Sequence, residues 1–313
     1  MILIIGPIAD SAIANLILLL SARDIDYVVL DPRSFADQWD LVWWVDHNGV
    51  QGHIDTPKRR IDLEEIGAIW DHMMVLPQEP RPGKSWSIRN DQLTSLTAFY
   101  NTYPGLVINR PTATSSNGSK PYQQQAIVEQ GFRPIRTLIT TDPDAARAFC
   151  EECNGQVIFK SISGVRSVVR RLLPDDMARI DQVRHCPTQF QEFVPGTDIR
   201  VHAVGERLFA TEIQASTDDY RYVPMNGIRT MRGVDLPDRI AERCIRLNRA
   251  LGLIVSGIDL RRDPDGRYCC FEVNPNPGYI FYERQSRQRI GDAFVDLLQR
   301  AESERCVRRS VAC

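Results

Sequence analysis

Two neighbouring apolar segments near the C-terminus carry oxygen-bearing side chains at strand spacing, and this pattern constrains the fold most strongly. Asp259 lies in the first segment, and Glu272 and Asn274 lie in the second. The residues Asp263–Gly266 between the segments are typical of a hairpin turn. Because alternate residues of a strand face the same side, Glu272 and Asn274 converge on one face, and the hairpin brings Asp259 close to both.

These three side chains, which we call the metal trio, indicate a cation site. Oxygen-bearing groups inside apolar strands are costly to bury unless a cation accompanies them. Hard oxygen ligands suit Mg²⁺, which usually shares its coordination sphere with water and nucleotide phosphates. The alternative is that the three residues only cap the strand ends and the following Asn-Pro turn. We favour the metal because one acidic residue in such a segment is common, whereas three polar residues on one patch are not.

Composition excludes several classes of protein. The chain has 313 residues and a formal net charge of −2, which argues against a nucleic-acid coat or a polybasic membrane binder. Apolar runs stay well below the roughly 20 residues that a membrane helix needs, and Met1 leads into an apolar strand without a basic leader. We therefore expect a cytoplasmic protein with no nucleic-acid and no membrane partner.

The cysteines and histidines do not suggest a second kind of site. The eight cysteines are scattered along the chain, and the Cys150-x-x-Cys153 motif has neither a second pair nor a histidine cluster at zinc-binding spacing. We interpret both of its residues as ordinary helix cysteines. His202 lies on an alternating strand and is interpreted as a packed or surface residue rather than as a catalytic base.

The order of strands and helices predicts an α/β (α+β) chain of three lobes. The strand Ile2–Ile5, a helix over 10–22 and the strand Tyr27–Leu30 imply a parallel sheet with a right-handed crossover. Residues 77–90 are predicted to form an exposed loop, and a last helix is predicted near 286–300. The predicted boundaries are 1–110 for the N-terminal lobe, 111–188 for the central lobe, 189–303 for the C-terminal lobe and 304–313 for a frayed tail.

A segment in the central lobe has the composition of a phosphate site. Lys160 ends an apolar strand and precedes a loop of small residues, Ser161–Gly164, and a cation beside a tight loop suits a phosphate. Arg166 in the same loop is a second candidate contact. Taken alone, the lysine is equally consistent with a snorkelling side chain at the surface.

A second segment has features of an adenosine site. Pro195 and Gly196 break a strand, so that residues 192–194 present backbone groups that can pair with an adenine ring. Asp198 can bind ribose hydroxyls, as acidic residues do in other nucleotide-binding folds. Arg200 lies two residues further on and faces the same side of the strand as Asp198.

The candidate residues named above, taken in their order along the chain, resemble the motifs of the ATP-grasp superfamily. Within it the chain is most similar to the RimK-type amino-acid ligases and to the related maturases of graspetides, and the resemblance covers nearly the whole chain. It implies an ATP-grasp fold with an N-terminal parallel-sheet pre-ATP-grasp lobe, a small central lid lobe and a C-terminal lobe. The motifs that carry it are Lys120, Lys160, Gln191–Val194, Asp198, Arg200, Asp259 and Glu272-x-Asn274.

The resemblance also implies which residues bind ATP. Lys120 and Lys160 would hold the phosphates, and Asp198 would bind the ribose. The loop after Lys160 departs from the family pattern, because it has the single glycine Gly164 where relatives often have several. The adenine would lie against Gln191, Glu192, Phe193 and Val194, with the Glu192 carbonyl and the Val194 amide pairing with it.

A further set of implied roles concerns the metal and the reaction. The metal trio would hold one or two Mg²⁺ ions, with Mn²⁺ as an alternative ion. Arg200 and Lys160 would stabilise the acyl-phosphate step. Arg221 would lie near the phosphates or near the substrate carboxylate.

These roles describe an ATP-dependent carboxylate–amine ligase that forms an amide through an acyl phosphate and releases ADP and phosphate. The expected substrate is an amino acid or a short peptide, because only thirty residues separate Lys160 from Gln191 and leave little room for a docking element. The alternatives are a graspetide maturase that forms lactams or lactones on a precursor peptide, a non-catalytic ATP-binding regulator and a small-molecule kinase. Association with a second copy of the chain is left open.

Overall fold

A computed structural model describes residues 1–34, 37–72, 86–162, 169–216 and 229–312, with the backbone alone at 86–90, 92 and 306–312. Within these ranges the strands form a parallel sheet near the N-terminus, a small antiparallel sheet packed beside it, and two larger antiparallel sheets further along the chain. The chain is therefore mixed α/β, as predicted. None of the helices in these ranges is both long enough and apolar enough to cross a membrane.

The N-terminal lobe is built on a parallel sheet. Its elements are β1 (Ile2–Ile5), α1 (Ser11–Ala22), β2 (Tyr27–Leu30), β3 (Asp40–Asp46), β4 (Gly49–Asp55), β5 (Arg60–Asp62), β6 (Ala68–Asp71), α2 (Trp86–Thr102) and β7 (Leu106–Ile108). The parallel sheet has the order β2-β1-β6-β7. β1 is wholly buried because its alternate residues enter two different cores, one with α1 and one with α2. This confirms the parallel strand–helix–strand opening.

Two features of this lobe differ from the sequence-based expectation. β3, β4 and β5 form a three-stranded antiparallel sheet that the sequence analysis did not predict. α2 begins at Trp86, so residues 86–90 of the predicted loop are helical, whereas residues 77–85 lie outside the described ranges.

The central part of the chain forms a four-stranded antiparallel sheet of order β10-β9-β11-β8. Its elements are α3 (Pro111–Thr114), α4 (Lys120–Glu129), β8 (Thr137–Thr140), α5 (Pro143–Glu152), β9 (Val157–Ser161), β10 (Arg170–Arg171), α6 (Pro174–Met177) and β11 (Thr188–Glu192). One face of the sheet buries Phe190 against α5, whose Ala146 and Phe149 are also buried. β11, which the sequence analysis placed at the start of the C-terminal lobe, is hydrogen-bonded within this sheet.

The C-terminal part forms a five-stranded antiparallel sheet of order β14-β13-β12-β15-β16. Its elements are β12 (Thr197–Val204), β13 (Arg207–Ala215), β14 (Arg229–Val234), α7 (Asp238–Ala250), β15 (Val255–Arg262), β16 (Tyr268–Asn274), α8 (Ile280–Ser286) and α9 (Ile290–Ala312). Gly266 occupies the predicted hairpin turn with a φ of +78°, and Gly205, in the turn between β12 and β13, has a φ of +61°; glycine enters this backbone region without strain.

The last helix returns the chain to the N-terminal lobe. Phe294 and Leu298 of α9 pack with Leu16 and Leu20 of α1 in one buried cluster. The helix predicted near 286–300 is α9, which begins at Ile290 and continues through the residues expected to form a frayed tail to Ala312. The short helix α8 before it was not predicted.

Candidate active site

The C-terminal sheet has one apolar and one polar face, and the polar face is the candidate active site. Ile258 and Val273 point away from it into a core shared with α4 and α7. Asp259 lies opposite Glu272 across the hairpin, and Asn274 follows two residues later on the same side. The structure therefore brings the metal trio together on two adjacent strands.

A β-bulge at Phe271 makes this arrangement. Leu260 pairs with Cys270 but Asp259 pairs with Glu272, so Phe271 is an extra residue in β16. Without it, regular alternation from the turn would place Phe271 opposite Asp259 and direct Glu272 towards the core. The sequence pattern alone does not reveal this bulge.

Arg200 supplies a positive charge in the middle of the polar face. Arg200 lies in β12, opposite Asp259 of the neighbouring strand β15. Its Nη1 donates a hydrogen bond to Asp259 Oδ2 at 2.8 Å. The Arg200 side chain is 7% exposed and that of Asp259 is 22% exposed. The Asp259 carboxylate is therefore partly exposed, and its hydrogen bond with Arg200 fixes its orientation.

The metal trio fits a hard cation. It offers two carboxylates and one amide oxygen, which is the kind of donor set that Mg²⁺ takes together with water and phosphate oxygens. Asn274 Oδ1 accepts a hydrogen bond from the Asn276 amide at 3.1 Å, which fixes the orientation of the side chain. In the described part of the chain, no group of three or more His, Cys, Asp and Glu side chains offers a competing site.

Two buried amide side chains from outside the sheet hold the trio in place, and the sequence analysis did not find them. Gln123 of α4 exchanges hydrogen bonds with the Val273 backbone, donating at 2.7 Å and accepting at 3.1 Å. Asn109, just after β7, donates to the carbonyls of Val255 and Pro275 at 2.7 and 2.6 Å. These bonds satisfy backbone groups of Val273 at the free edge of β16 and tie the open end of the β15–β16 hairpin to other elements.

The central sheet presents its own polar face beside the predicted phosphate loop. Lys160 is buried on this face, directly opposite Gln189 in β11. Lys120, at the start of α4, donates a hydrogen bond from Nζ to the Ser161 carbonyl at 3.2 Å. Both predicted phosphate lysines thus lie at the same end of β9. Positions 163–168, which include Gly164 and Arg166, lie outside the described residues, as does Arg221.

Two unsatisfied acceptors on this face support a nucleotide base as a ligand. Gln189 and Gln191 are both buried, and the Oε1 atom of each has no hydrogen-bond partner among the described residues. Gln191 is oriented by a hydrogen bond from its Nε2 to Thr137 Oγ1 at 3.0 Å. Buried acceptors are normally paired, so these oxygens suit a ligand that donates, as the amino group of adenine does.

The strand end at 192–194 is held from both sides. The Glu192 carboxylate lies 3.2 Å from both Arg133 and Arg136, so this side chain is engaged in ion pairs. The Phe193 amide donates to the Gln156 carbonyl at 2.8 Å, and Val194 is buried in a small apolar cluster that includes Phe271 at its edge. These contacts hold the segment in place where the resemblance puts the adenine.

Arg261 links the predicted adenine and ribose residues and was missed by the sequence analysis. Its Nε donates to Asp198 Oδ1 at 2.7 Å, and its Nη1 donates to the Val194 carbonyl at 2.9 Å. Asp198, Phe193 and Arg261 line a polar cavity of about 480 Å³. The sequence did contain a pattern that could have identified Arg261. It lies two residues after Asp259 on the same strand, so both side chains face the same side of the sheet.

Three further residues have the environments that the sequence predicted. His202 is buried, lies 4.7 Å from the Tyr282 ring and contacts the Gly278 carbonyl at 3.3 Å. Burial, with a smaller contribution from the Arg200 charge, lowers its pKa to about 3. Cys150 and Cys153 lie at the end of α5 with buried side chains, and burial raises the pKa of both thiols.

Comparison with known proteins relates the chain to a family of similar sequence and to solved structures of similar fold. The family model of the RimK-like ATP-grasp domain matches residues 119–298. A macrocyclase, MdnC, from Microcystis aeruginosa, solved with its precursor peptide, superposes with a TM-score of 0.81 at 20% identity, covering 96% of this chain and 99% of its own. A RiPP-associated ATP-grasp ligase from Chryseobacterium gregarium, solved with ADP and a leader and core peptide, gives a TM-score of 0.82 at 20% identity, covering 95% and 96%.

A curated relative by sequence is the human beta-citrylglutamate synthase B, which is 31% identical over 122 residues. That match covers 36% of this chain and 31% of the human protein, so the chain spans about a third of the relative's length.

Because the family model covers more than half of the chain, the protein belongs to the RimK-like ATP-grasp family. The ATP-grasp fold that the sequence predicted is confirmed by the solved structures. ATP with Mg²⁺ is the usual pair of cofactors in this family, and the trio and the buried glutamines fit both.

Proposed function

We propose that the chain is an ATP-dependent carboxylate–amine ligase that activates a carboxylate as an acyl phosphate and then forms an amide, releasing ADP and phosphate. The observation that carries this proposal is the polar face of the C-terminal sheet. Two carboxylates, one amide and the Arg200 guanidinium converge there, and the central sheet carries Lys160 on a polar face of its own. A site that must neutralise a transferred phosphoryl group needs this combination of cation ligands and fixed positive charge.

ATP with Mg²⁺ supplies the phosphoryl group, and the chain supplies position and charge. Asp259, Glu272 and Asn274 would hold Mg²⁺, with Mn²⁺ as a second ion to test. Lys120 and Lys160 would bind phosphate oxygens from the end of β9.

The remaining roles follow the resemblance to the ATP-grasp ligases. Asp198 would bind the ribose, and the Gln191–Val194 segment would hold the adenine through backbone groups and the Gln191 amide. Arg200, fixed by Asp259, would stabilise negative charge on the acyl phosphate together with Lys160. Arg221 keeps its proposed place near the phosphates or the substrate carboxylate.

The proposed substrate is an amino acid or a short peptide, and a ribosomal precursor peptide is the second candidate. The second candidate is favoured by one observation. Structures of two enzymes that bind precursor peptides match 95–96% of this chain and nearly all of their own length. A central lobe of this size is therefore compatible with a macrocyclase fold, which weakens the argument from the short segment between Lys160 and Gln191.

Trapping with hydroxylamine tests the proposed function. The purified protein is incubated with Mg-ATP, hydroxylamine and single amino acids, dipeptides or precursor peptides encoded beside its gene. A ligase converts the activated carboxylate to a hydroxamate and releases ADP. ADP release with a stable phosphorylated product and no hydroxamate would indicate a kinase, and ATP binding without turnover on any carboxylate would indicate a regulator.

Glu272→Gln provides the matched variant for this assay. It keeps the size of the side chain and one ligand oxygen but removes the charge. We expect hydroxamate formation to fall by orders of magnitude, because the cation loses the negative charge of one of its ligands. Full turnover in Glu272→Gln would refute the metal role and most of the proposed function.

A further inference from the structure

Gly257, in the middle of β15, lies against the Arg200 guanidinium. The three heavy atoms nearest to a Cβ built at position 257 all belong to the Arg200 side chain. The Cβ would overlap Nη2 and Cζ and would lie 2.8 Å from Nε. The backbone of Gly257 does not have the positive φ that favours glycine elsewhere in the chain. The glycine at this position is therefore explained by the space that it leaves and not by its own conformation.

The side chain that fills this space is fixed by its other contacts. Arg200 Nη1 donates to Asp259 Oδ2 at 2.8 Å, and its Cζ lies 5.7 Å from the centre of the Tyr282 ring. The residue is 6% exposed. The guanidinium thus lies over the backbone of Gly257, with the carboxylate of a metal-trio residue on one side and an aromatic ring on another.

A methyl group at position 257 would move the guanidinium and leave the sheet in place. The atoms it would meet are at the end of a long, flexible side chain. Gly196 shows the contrast, because there a Cβ would meet the backbone of Arg262, including its carbonyl carbon at 2.9 Å. A substitution at Gly196 must distort the backbone, whereas a substitution at Gly257 can be relieved by turning Arg200.

We propose that Gly257 is a positioning residue for Arg200: the absence of a side chain at 257 allows the guanidinium to lie against Asp259 on the polar face. Gly257 does not touch a reacting atom and acts only through Arg200. The role of Arg200 in charge stabilisation rests on the proposed function, but the packing relation between the two residues does not. The two statements can therefore be tested separately.

A double-mutant cycle on stability tests the packing relation without any activity. Melting temperatures are measured for the wild type, Gly257→Ala, Arg200→Ala and the double variant. We expect Gly257→Ala to lower the melting temperature when Arg200 is present, because the guanidinium loses its contacts. In the Arg200→Ala background the same change should raise it, since alanine is preferred to glycine inside a strand. An equal shift in both backgrounds would overturn the proposal.

A second cycle on turnover tests the consequence for the reaction. We expect Gly257→Ala to lower kcat by about tenfold or more, the size of a lost charged contact, while the KM for ATP changes little. In the Arg200→Ala background it should lower kcat by no more than about twofold, because residues that act as a unit are not additive. Additive losses would overturn the proposal.

Gly233→Ala is the matched control, because Gly233 lies in β14 of the same sheet and its nearest neighbours belong to Gln288 rather than to Arg200. It should leave kcat unchanged, and its effect on melting should not depend on Arg200. If the wild type itself forms no hydroxamate with any carboxylate, the proposed function fails, and the stability cycle still decides the relation between Gly257 and Arg200.

Discussion

Burial of His202 leads to a specific prediction about acid stability. The ring is 1% exposed, and its Nδ1 has no hydrogen-bond partner among the described residues. Burial, and then the nearby Arg200 charge, lowers the pKa of His202 from 6.5 to about 3. The unfolded chain takes up a proton near pH 6.5, whereas the folded chain excludes it until about pH 3. The free energy of unfolding must therefore fall as the pH drops through this window.

The size of the effect follows from the shift. Each pH unit between the two pKa values removes about 1.4 kcal/mol of stability. Between pH 6.5 and pH 5 the loss from His202 alone is roughly 2 kcal/mol. His72 is also buried, and burial lowers its pKa, so the wild type should lose more than this. A variant that lacks only the His202 titration isolates its share.

His202→Phe is that variant, because it keeps a ring against Tyr282 and cannot be protonated. Loss of the contact with the Gly278 carbonyl lowers its stability by an amount that does not depend on pH. Urea unfolding at constant ionic strength should show that the wild type loses about 2 kcal/mol more than His202→Phe between pH 7 and pH 5. His47→Asn removes an exposed histidine and serves as the control. Parallel pH profiles for the wild type and His202→Phe would refute the reasoning.

Three further predictions follow from individual contacts. Lys160→Ala removes a cation from the proposed phosphate site and should weaken ATP binding by about 10- to 100-fold; calorimetric titration at saturating Mg²⁺ with unchanged affinity would contradict it. Replacing Cys150 and Cys153 together with serine should leave turnover and metal content unchanged, and stoichiometric zinc that is lost in the double variant would show a metal site. Glu212 is 3% exposed and is held by Arg232 at 2.7 Å, so Glu212→Gln should cost about 1–3 kcal/mol in urea unfolding, whereas an unchanged midpoint would exclude a stabilising ion pair.

The sequence predicted the residues that share a strand face, because side-chain alternation along a strand follows from covalent geometry. Glu272 and Asn274 lie on one face as expected. The bulge at Phe271 could not be predicted in this way, since it depends on how β16 packs against α4 rather than on the order of residues in β16. A shift of one residue at this point decides whether Glu272 faces the site or the core.

In the N-terminal lobe, too, some elements could be predicted from the sequence and others could not. The buried strand β1 and the helix α1 were predicted because their apolar residues follow clear strand and helix periods. The sheet of β3, β4 and β5 was missed, since its outward-facing residues Val42 and Trp44 are exposed apolar side chains and interrupt the usual polar–apolar alternation. The start of α2 was also missed, because residues 77–90 are rich in proline, glycine and charge.

The contacts that complete the candidate site depend on which strands become neighbours. Alternation places Arg200 on the same face as Asp198, but Arg200 meets Asp259 only because β12 lies beside β15 in the sheet. These strands are separated along the chain by β13, β14 and α7, and no local pattern specifies their pairing. The contact between Arg200 and Gly257 is still harder to predict from the sequence, because it needs both that strand pairing and the absence of a side chain at position 257. Sequence patterns therefore identify the residue types of this site, whereas the long-range strand order determines which charges meet.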